Sequence, residues 1–149
     1  MGTLKGETWL IISLLIQKCF LTSWLSARPF FAESFQLFKA QYNNQAQLCS
    51  TASVISNVQY GGNKLLGKMS PGAAVQKLLS FVKICVTDKR TIVKAYNSPF
   101  GDVEDAVQYY SAVADNSIDF FVTRNVKDFK HADEHLKVIT PGEGVKILG

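Results

Sequence analysis

Three carboxylates near residue 102 have the types and spacing needed to bind a divalent cation. Asp102 and Asp105 are three residues apart, with Glu104 between them, at the predicted start of a helix. Residues three apart lie on one helix face, so Asp102 and Asp105 can approach a common ion. An oxygen-only ligand set suits Mg²⁺ or Mn²⁺ rather than Zn²⁺. Helix capping and the helix dipole are the structural alternative, and they explain Asp102 or Glu104 better than Asp105.

A second polar group follows the predicted strand at residues 119–123. Its members are Thr123, Arg124, Asn125 and Asp128. Ligand sites in open α/β sheets lie outside the carboxyl ends of the strands, so this group is expected at the same edge as the acids near residue 102. Gln17 and Lys18 follow the first predicted strand and are expected at that edge too.

Strands alternate with helices along the chain, which predicts an α/β domain with a mainly parallel sheet and helices on both faces. The apolar run at residues 9–16 is typical of a buried central strand. Phe31, Phe35, Phe38 and Tyr42 recur at helical spacing and are expected to form the buried face of a helix. The remaining predicted elements are strands at 45–49, 84–86, 119–123 and 137–140, and helices at 53–59, 88–96, from Pro71 (with Ala74, Leu78, Leu79 and Val82 buried) and from 102 onwards.

The composition is that of one domain with unevenly distributed charge. The 149 residues are 47% hydrophobic, so they can bury a core without disulfides, and no repeat or linker divides them. Residues 1–99 carry eleven Lys and Arg against three acids, whereas residues 100–149 carry five against nine. A basic majority is the usual footprint of a polyanion partner, although it also serves solubility alone.

The cysteines and the apolar run at residues 9–16 indicate the cellular compartment in which the protein is expected. Cys19, Cys49 and Cys85 are widely spaced in apolar surroundings, which predicts buried free thiols in the reducing cytoplasm. The run at 9–16 is too short to span a bilayer. A secreted or tethered domain that uses residues 8–27 as a signal segment is the alternative.

Two further motifs favour structural explanations. His131 and His135 have the spacing of a zinc-binding helix, but Ala132 stands where that motif needs an acid, so a solvated face is predicted. Gly61 and Gly62 lack the spacing of a phosphate-binding loop and are expected to weaken the helix that precedes them.

The segment from Asp102 to Pro141 resembles the C-terminal half of PIN-domain proteins, the fold of the VapC-type toxin ribonucleases. The resemblance rests on DVEDAVQYYSA from Asp102, DFFVTRNVKDF from Asp119 and VITP from Val138. It extends more weakly through residues 24–31 and 53–58. It implies a PIN-like three-layer domain over residues 1–149, with a mainly parallel central sheet flanked by helices and with residues 1–20 atypical.

The resemblance also implies a metal-dependent endoribonuclease that hydrolyses phosphodiester bonds of single-stranded RNA with Mg²⁺ or Mn²⁺. Asp105 matches the central metal ligand and Asp102 an accessory acid. The last acidic position falls at Asn125 or Asp128, with Thr123 supporting it. The implied partners are RNA, a small antitoxin protein and a second copy of the chain, with no membrane. Charge alone marks the residues of an RNA path as Lys18, Arg28, Lys64, Lys68 and Arg124.

Two positions depart from the family pattern. Gln17 stands where the family has the aspartate that is its principal metal ligand. Glutamine is a weaker, neutral ligand, and the adjacent Lys18 repels a cation. Asn57 replaces the family's glutamate on the third helix. Either the chain is a degenerate relative, or its first twenty residues reflect a reading-frame error. The prediction is a toxin-like ribonuclease with impaired activity; the alternative is a degenerate PIN-fold module that binds RNA or protein.

Overall fold

The computed structural model describes residues 8–12, 31–65, 71–132 and 136–149. One or two helices separate successive strands along the described chain. The elements are β1 (Thr8–Ile12), α1 (Phe31–Tyr42), β2 (Ala46–Thr51), α2 (Ala52–Leu65), α3 (Pro71–Leu79), β3 (Lys83–Cys85), α4 (Lys89–Tyr96), α5 (Val103–Ala114), β4 (Phe120–Val122), a 3-10 helix (Val126–Phe129), β5 (Lys137–Ile139) and α6 (Pro141–Leu148). Residues 13–16 of the predicted first strand lie outside the described residues.

The five strands form one parallel sheet in the order β3-β2-β1-β4-β5. Leu10 of β1 pairs with Leu48 of β2 on one side and with Phe120 of β4 on the other. Because the strands are parallel, their carboxyl ends all meet at one edge of the sheet. The predicted α/β class is confirmed, and the segments that follow β2 and β4 both leave from that edge.

The helices cover both faces of the sheet, as the alternation of side chains along the strands requires. Leu48 and Val122 point to one face and pack with α1, α2 and α3. Their neighbours Cys49 and Phe121 point to the other face and pack with α4 and α5. The predicted three-layer arrangement is therefore confirmed. None of the described helices has the length and hydropathy needed to cross a membrane.

The buried face of α1 differs from the predicted one. Phe35 is 50% exposed and Tyr42 is 87% exposed, so the prediction that they are buried is wrong. Leu37 and Ala40 are buried instead and face the sheet. Leu37 also packs against α6, where an added Cβ at Gly144 would lie in ordinary van der Waals contact, 3.4 Å from the Leu37 side chain. The face of α1 with Leu37 and Ala40 is therefore the buried one, and the rings of Phe35 and Tyr42 are exposed.

Three other local expectations are corrected. The helix predicted to weaken at Gly61 continues through Gly62 as α2. Leu79, predicted to be buried, is 47% exposed, whereas Leu78 is fully buried. The strand predicted at 84–86 ends at Cys85, and Val86 is 80% exposed. The last two errors arise at the ends of elements, where boundaries are least well predicted from periodicity.

The C-terminal helix α6 was not among the predicted elements. Thr140 caps it, since the Thr140 hydroxyl accepts from the Glu143 N–H while the Glu143 carboxylate accepts from the Thr140 N–H at 2.8 Å. Pro141 occupies the first helical turn. This capping box is a sequence signal for a helix start. The strand predicted to run to Thr140 consequently ends one residue earlier.

Two of the three cysteines confirm the prediction of buried free thiols. Cys49 and Cys85 are free and buried on neighbouring strands, and Cys19 lies outside the described residues. A hydrogen bond with the Cys85 side chain, together with burial, raises the pKa of the Cys49 thiol. Neutral, buried thiols of this kind behave as small apolar core residues.

An aromatic cluster supports the carboxyl edge of the sheet. Tyr109 of α5 lies 5.5 Å from the ring centroid of Phe121, and Phe129 lies 4.8 Å from the same ring. Phe100 packs on both Tyr109 and Phe129. Phe100 stands two residues before Asp102, and Phe129 directly follows Asp128. The cluster therefore fixes the two segments that carry these acids.

Removing the Tyr109 hydroxyl is expected to destabilise the fold. The buried Tyr109 hydroxyl donates to the Leu136 carbonyl at 3.0 Å. Tyr109→Phe keeps the ring but leaves that carbonyl unpaired, which should lower the free energy of unfolding by about 1–3 kcal/mol in urea denaturation. Tyr96→Phe, at a 70% exposed ring, is the matched control and should change it by less than about 0.5 kcal/mol. Equal stability of the two variants would contradict the role given to this hydrogen bond.

Candidate active site

The first turn of α5 holds two acids in different environments. Asp102 is exposed at the N-cap, where its carboxylate accepts from the Asp105 N–H at 3.2 Å. Asp105 is only 6% exposed. Capping therefore accounts for Asp102, as the structural alternative predicted. Capping does not account for Asp105. Burying a carboxylate is costly, and a capping side chain does not have to be buried.

The segment after β4 is shaped by a buried threonine. The Thr123 hydroxyl accepts from the Asn125 N–H at 3.1 Å, and the Thr123 N–H donates to the Ile139 carbonyl at 2.9 Å. These bonds start the 3-10 helix, in which the Asp128 N–H donates to the Asn125 carbonyl at 3.0 Å. Thr123 thus orients the backbone that carries Asp128.

The two segments meet at one cavity of about 440 Å³. Asp102 and Asp105 line it from α5, and Asp128 lines it from the 3-10 helix. The structure thus brings three predicted metal ligands to the same cavity. Asn125, Thr123 and Arg124 are not among its lining residues, although all three belong to the segment that shapes it.

Three basic or titratable side chains at this cavity were not predicted as site residues. Lys127, Lys130 and His131 line it together with the acids. All three are exposed. The available signal was their spacing around Asp128, because a 3-10 helix and the turn after it bring such near neighbours to one surface. His131, predicted to lie on a solvated face, is exposed and also lines the site, whereas His135 lies outside the described residues.

Three residues of the predicted RNA path lie outside the described residues: Lys18, Arg28 and Lys68. Gln17, the replaced family position, lies outside them too. Lys64 lies in the last turn of α2, about 18 Å along the helix from its start at Ala52. Since α2 begins at the carboxyl end of β2, the backbone at residue 64 is distant from that edge.

Asn57 makes a contact with the acidic turn. Its side-chain N–H donates to the Glu104 carboxylate at 2.5 Å, which joins α2 to the start of α5. An amide donor can make this bond, whereas a glutamate at position 57 would place two carboxylates together and repel. Asn57 therefore engages Glu104 in a structural contact.

The donor set agrees with a hard divalent cation, since all three acids offer carboxylate oxygens. Among the described residues, however, no group of three His, Cys, Asp or Glu side chains is placed to hold an ion. Mg²⁺ is commonly bound by one or two carboxylates, with waters and substrate phosphates completing its shell. The described acids therefore offer the ligand chemistry of a Mg²⁺ site without forming a three-ligand group. Asp105, together with Asp102 or Asp128, would supply the one or two carboxylates.

The order of the sheet and the acidic cavity at its carboxyl edge define a three-layer α/β protein with a site built on strand ends. The chain belongs to the PIN domain family, whose sequence profile matches residues 17–127, about three quarters of its length. The matched range begins at Gln17 and includes Asp102 and Asp105. A comparison with curated proteins found no match.

A solved structure has the same fold. It is the crystal structure of VapBC2 from Rickettsia felis bound to a DNA fragment from their promoter, and the similarity has a TM-score of 0.61 at 18% sequence identity. The match covers 89% of this chain and 98% of the other. At this identity the similarity establishes the shared fold.

Proposed function

We propose that this chain is a toxin-like endoribonuclease that hydrolyses phosphodiester bonds of single-stranded RNA, depends on Mg²⁺ or Mn²⁺, and turns over slowly. The observation that carries the proposal is the meeting of Asp102, Asp105 and Asp128 at one cavity on the carboxyl edge of a PIN-domain sheet. The lysines at the same cavity give it the mixed charge that a phosphodiester and its cation require.

The residues at the cavity have separable roles. Asp105 is the central acid, because it alone among the three is nearly buried and held by a helix. Lys127 and Lys130 bind and orient the phosphate group of the RNA. Asp105, with Asp102 or Asp128, would hold the divalent cation, which would supply activation of the attacking water and compensation of negative charge on the leaving oxygen. Thr123 acts indirectly, through the backbone that positions Asp128.

Weak turnover follows from two replaced positions. Gln17 offers a neutral oxygen where the family has a carboxylate, so the cation is held by fewer charges. Asn57 is engaged with Glu104 and brings no charge to the site. We infer that the affinity for the cation, and with it the rate, is lower than a complete set of acids would give.

A catalytically degenerate module that binds RNA or protein is the second candidate. It is favoured by the replaced positions, since Gln17 is neutral and Asn57 is engaged with Glu104 and brings no charge to the site. Isothermal calorimetry with Mn²⁺, paired with cleavage of a fluorescent single-stranded RNA, separates the two functions. The enzyme predicts heat of binding and cleavage that EDTA abolishes. RNA binding without either result would leave only the binding module.

We propose that a small antitoxin-like protein docks in an apolar groove between α1 and the end of α3. The groove has a volume of about 960 Å³ and is lined by the rings of Phe35, Phe38, Tyr42 and Phe81. Lys39 and Lys77 also line it, and no acid of the described chain does. Exposed aromatic rings flanked by lysines suit an amphipathic partner segment with acidic side chains.

Loss of one ring should weaken this docking. A designed acidic helical peptide with leucines at i, i+4 and i+7 is the probe, and fluorescence anisotropy reports its dissociation constant. Tyr42→Ala should raise that constant about tenfold, since aromatic anchors dominate such interfaces. Tyr96→Ala removes an exposed ring on α4 and should leave it unchanged. Equal affinities for the two variants would place the partner elsewhere.

The homodimer stays a prediction. Ile92, Val93 and Tyr96 on α4 are exposed, and Val86 before the helix is 80% exposed. Apolar side chains gathered on one helix give a second copy of the chain a surface to cover.

A further inference from the structure

Gln108 on α5 is a buried polar residue that the fold itself does not explain. Its side chain is fully buried, and neither the amide nitrogen nor the amide oxygen has a hydrogen-bond partner among the described residues. An apolar side chain of the same size would avoid the cost of burying an unpaired amide. Buried polar groups of this kind commonly pair with an internal water or serve a site.

The position of Gln108 relates it to the candidate site. It follows Asp105 by three residues, so the two side chains are neighbours on one face of α5, with Cβ atoms about 5–6 Å apart. Both are buried in that helix. Side chains that start this close can bring their polar atoms within about 5 Å of each other, a distance that one water can bridge with two hydrogen bonds of about 2.8 Å.

We propose that Gln108 is a positioning residue for Asp105. One internal water accepts from the Gln108 side-chain N–H and donates to the Asp105 carboxylate, which fixes the direction of that carboxylate relative to the cavity. The catalytic consequence rests on the proposed ribonuclease function. The link between the Gln108 and Asp105 side chains does not depend on that function, because it is a property of the folded protein without any cation.

Ser50 provides a matched control. Its hydroxyl is also fully buried without a partner among the described residues. Side chains alternate along β2, and Cys49 on one side of Ser50 points to the face covered by α5, so Ser50 points to the opposite face. Ser50→Ala therefore removes an unpaired buried group without touching Asp105.

A double-mutant cycle in metal-free protein tests the link. The variants are Gln108→Met, which keeps the size of the side chain, Asp105→Asn and their combination, compared by melting temperature. The shift caused by Gln108→Met should differ by about 2–4 °C between the unmodified chain and the Asp105→Asn variant, because linked residues are not additive. Ser50→Ala should change the melting temperature by the same amount in the unmodified chain and in the Asp105→Asn variant. Additive shifts for Gln108→Met would overturn the proposal.

Calorimetry with Mn²⁺ tests the consequence for the site. Gln108→Met should bind Mn²⁺ about 10–100-fold more weakly than the unmodified chain, as is common when a residue that orients a metal ligand is lost. Ser50→Ala should bind it with unchanged affinity. Unchanged affinity in Gln108→Met would refute the positioning role. If the unmodified chain binds no Mn²⁺, the ribonuclease function fails, and the cycle alone decides the link between Gln108 and Asp105.

Discussion

Asp105→Asn is expected to lower the rate of RNA cleavage by more than about 100-fold, equivalent to about 2.7 kcal/mol of transition-state stabilisation. Asp105 is the only one of the three cavity acids that is nearly buried, and asparagine replaces its charged oxygen with a neutral amide of the same size. A cation held by few carboxylates depends strongly on each of them. The measurement is the initial rate of cleavage of a fluorescent RNA at saturating Mn²⁺.

The control for this variant is Asp119→Asn, which makes the same change at an exposed acid that does not line the cavity. It should retain the rate of the unmodified chain. The Asp105→Asn protein should also keep a cooperative thermal unfolding transition, because the substitution removes a charge from a mostly buried position without changing its volume. Equal rates for both variants would exclude Asp105 from the reaction.

Gln17→Asp is expected to raise the cleavage rate by about two orders of magnitude. The substitution places a carboxylate at the position where the resemblance to PIN-domain proteins implies the principal metal ligand, and each added anionic ligand strengthens the binding of a hard cation. The gain should be largest at low Mn²⁺, where occupancy of the site limits the rate. A titration of rate against Mn²⁺ concentration measures both the affinity and the maximal rate.

Gln45→Asp is the control for the increase in cleavage rate expected of Gln17→Asp. It makes the same exchange at an exposed residue before β2 and should leave the titration unchanged. If Gln17→Asp cleaves no faster than Gln45→Asp, the remaining acids do not form a working site. That result would favour the degenerate binding module over the ribonuclease.

The order of the elements was predictable because local signals and tertiary packing agree. The run around β1, the capped start of α5 and the strand at 120–122 each follow from local sequence signals, and the resemblance to PIN-domain proteins rests on the last two of these segments and on the one from Val138. The exposed rings of Phe35 and Tyr42 could not be predicted in this way. Both faces of α1 carry apolar residues, and packing against the sheet and α6 decides which of them is buried.

Part of the candidate site was predictable from the sequence, and part of it required the structure. Asp102 and Asp105 were predicted from residue type and spacing, and Asp128 from its place after a strand and from the family resemblance. The structure brings all three to one cavity. The lysines that share that cavity, Lys127 and Lys130, needed the path of the 3-10 helix to be known. The buried, unpaired amide of Gln108 also carries no signal in the sequence, where it reads as an ordinary polar residue of a helix.

The sequence by itself determined the chemistry that this protein has available: oxygen ligands on α5 and after β4, a glutamine at position 17, and a basic first two thirds. The tertiary structure alone decided which groups meet. Parallel strands carry distant segments to one edge of the sheet, and an aromatic core of Phe100, Tyr109 and Phe129 fixes them there. Such contacts join residues far apart in the chain, so local spacing cannot specify them.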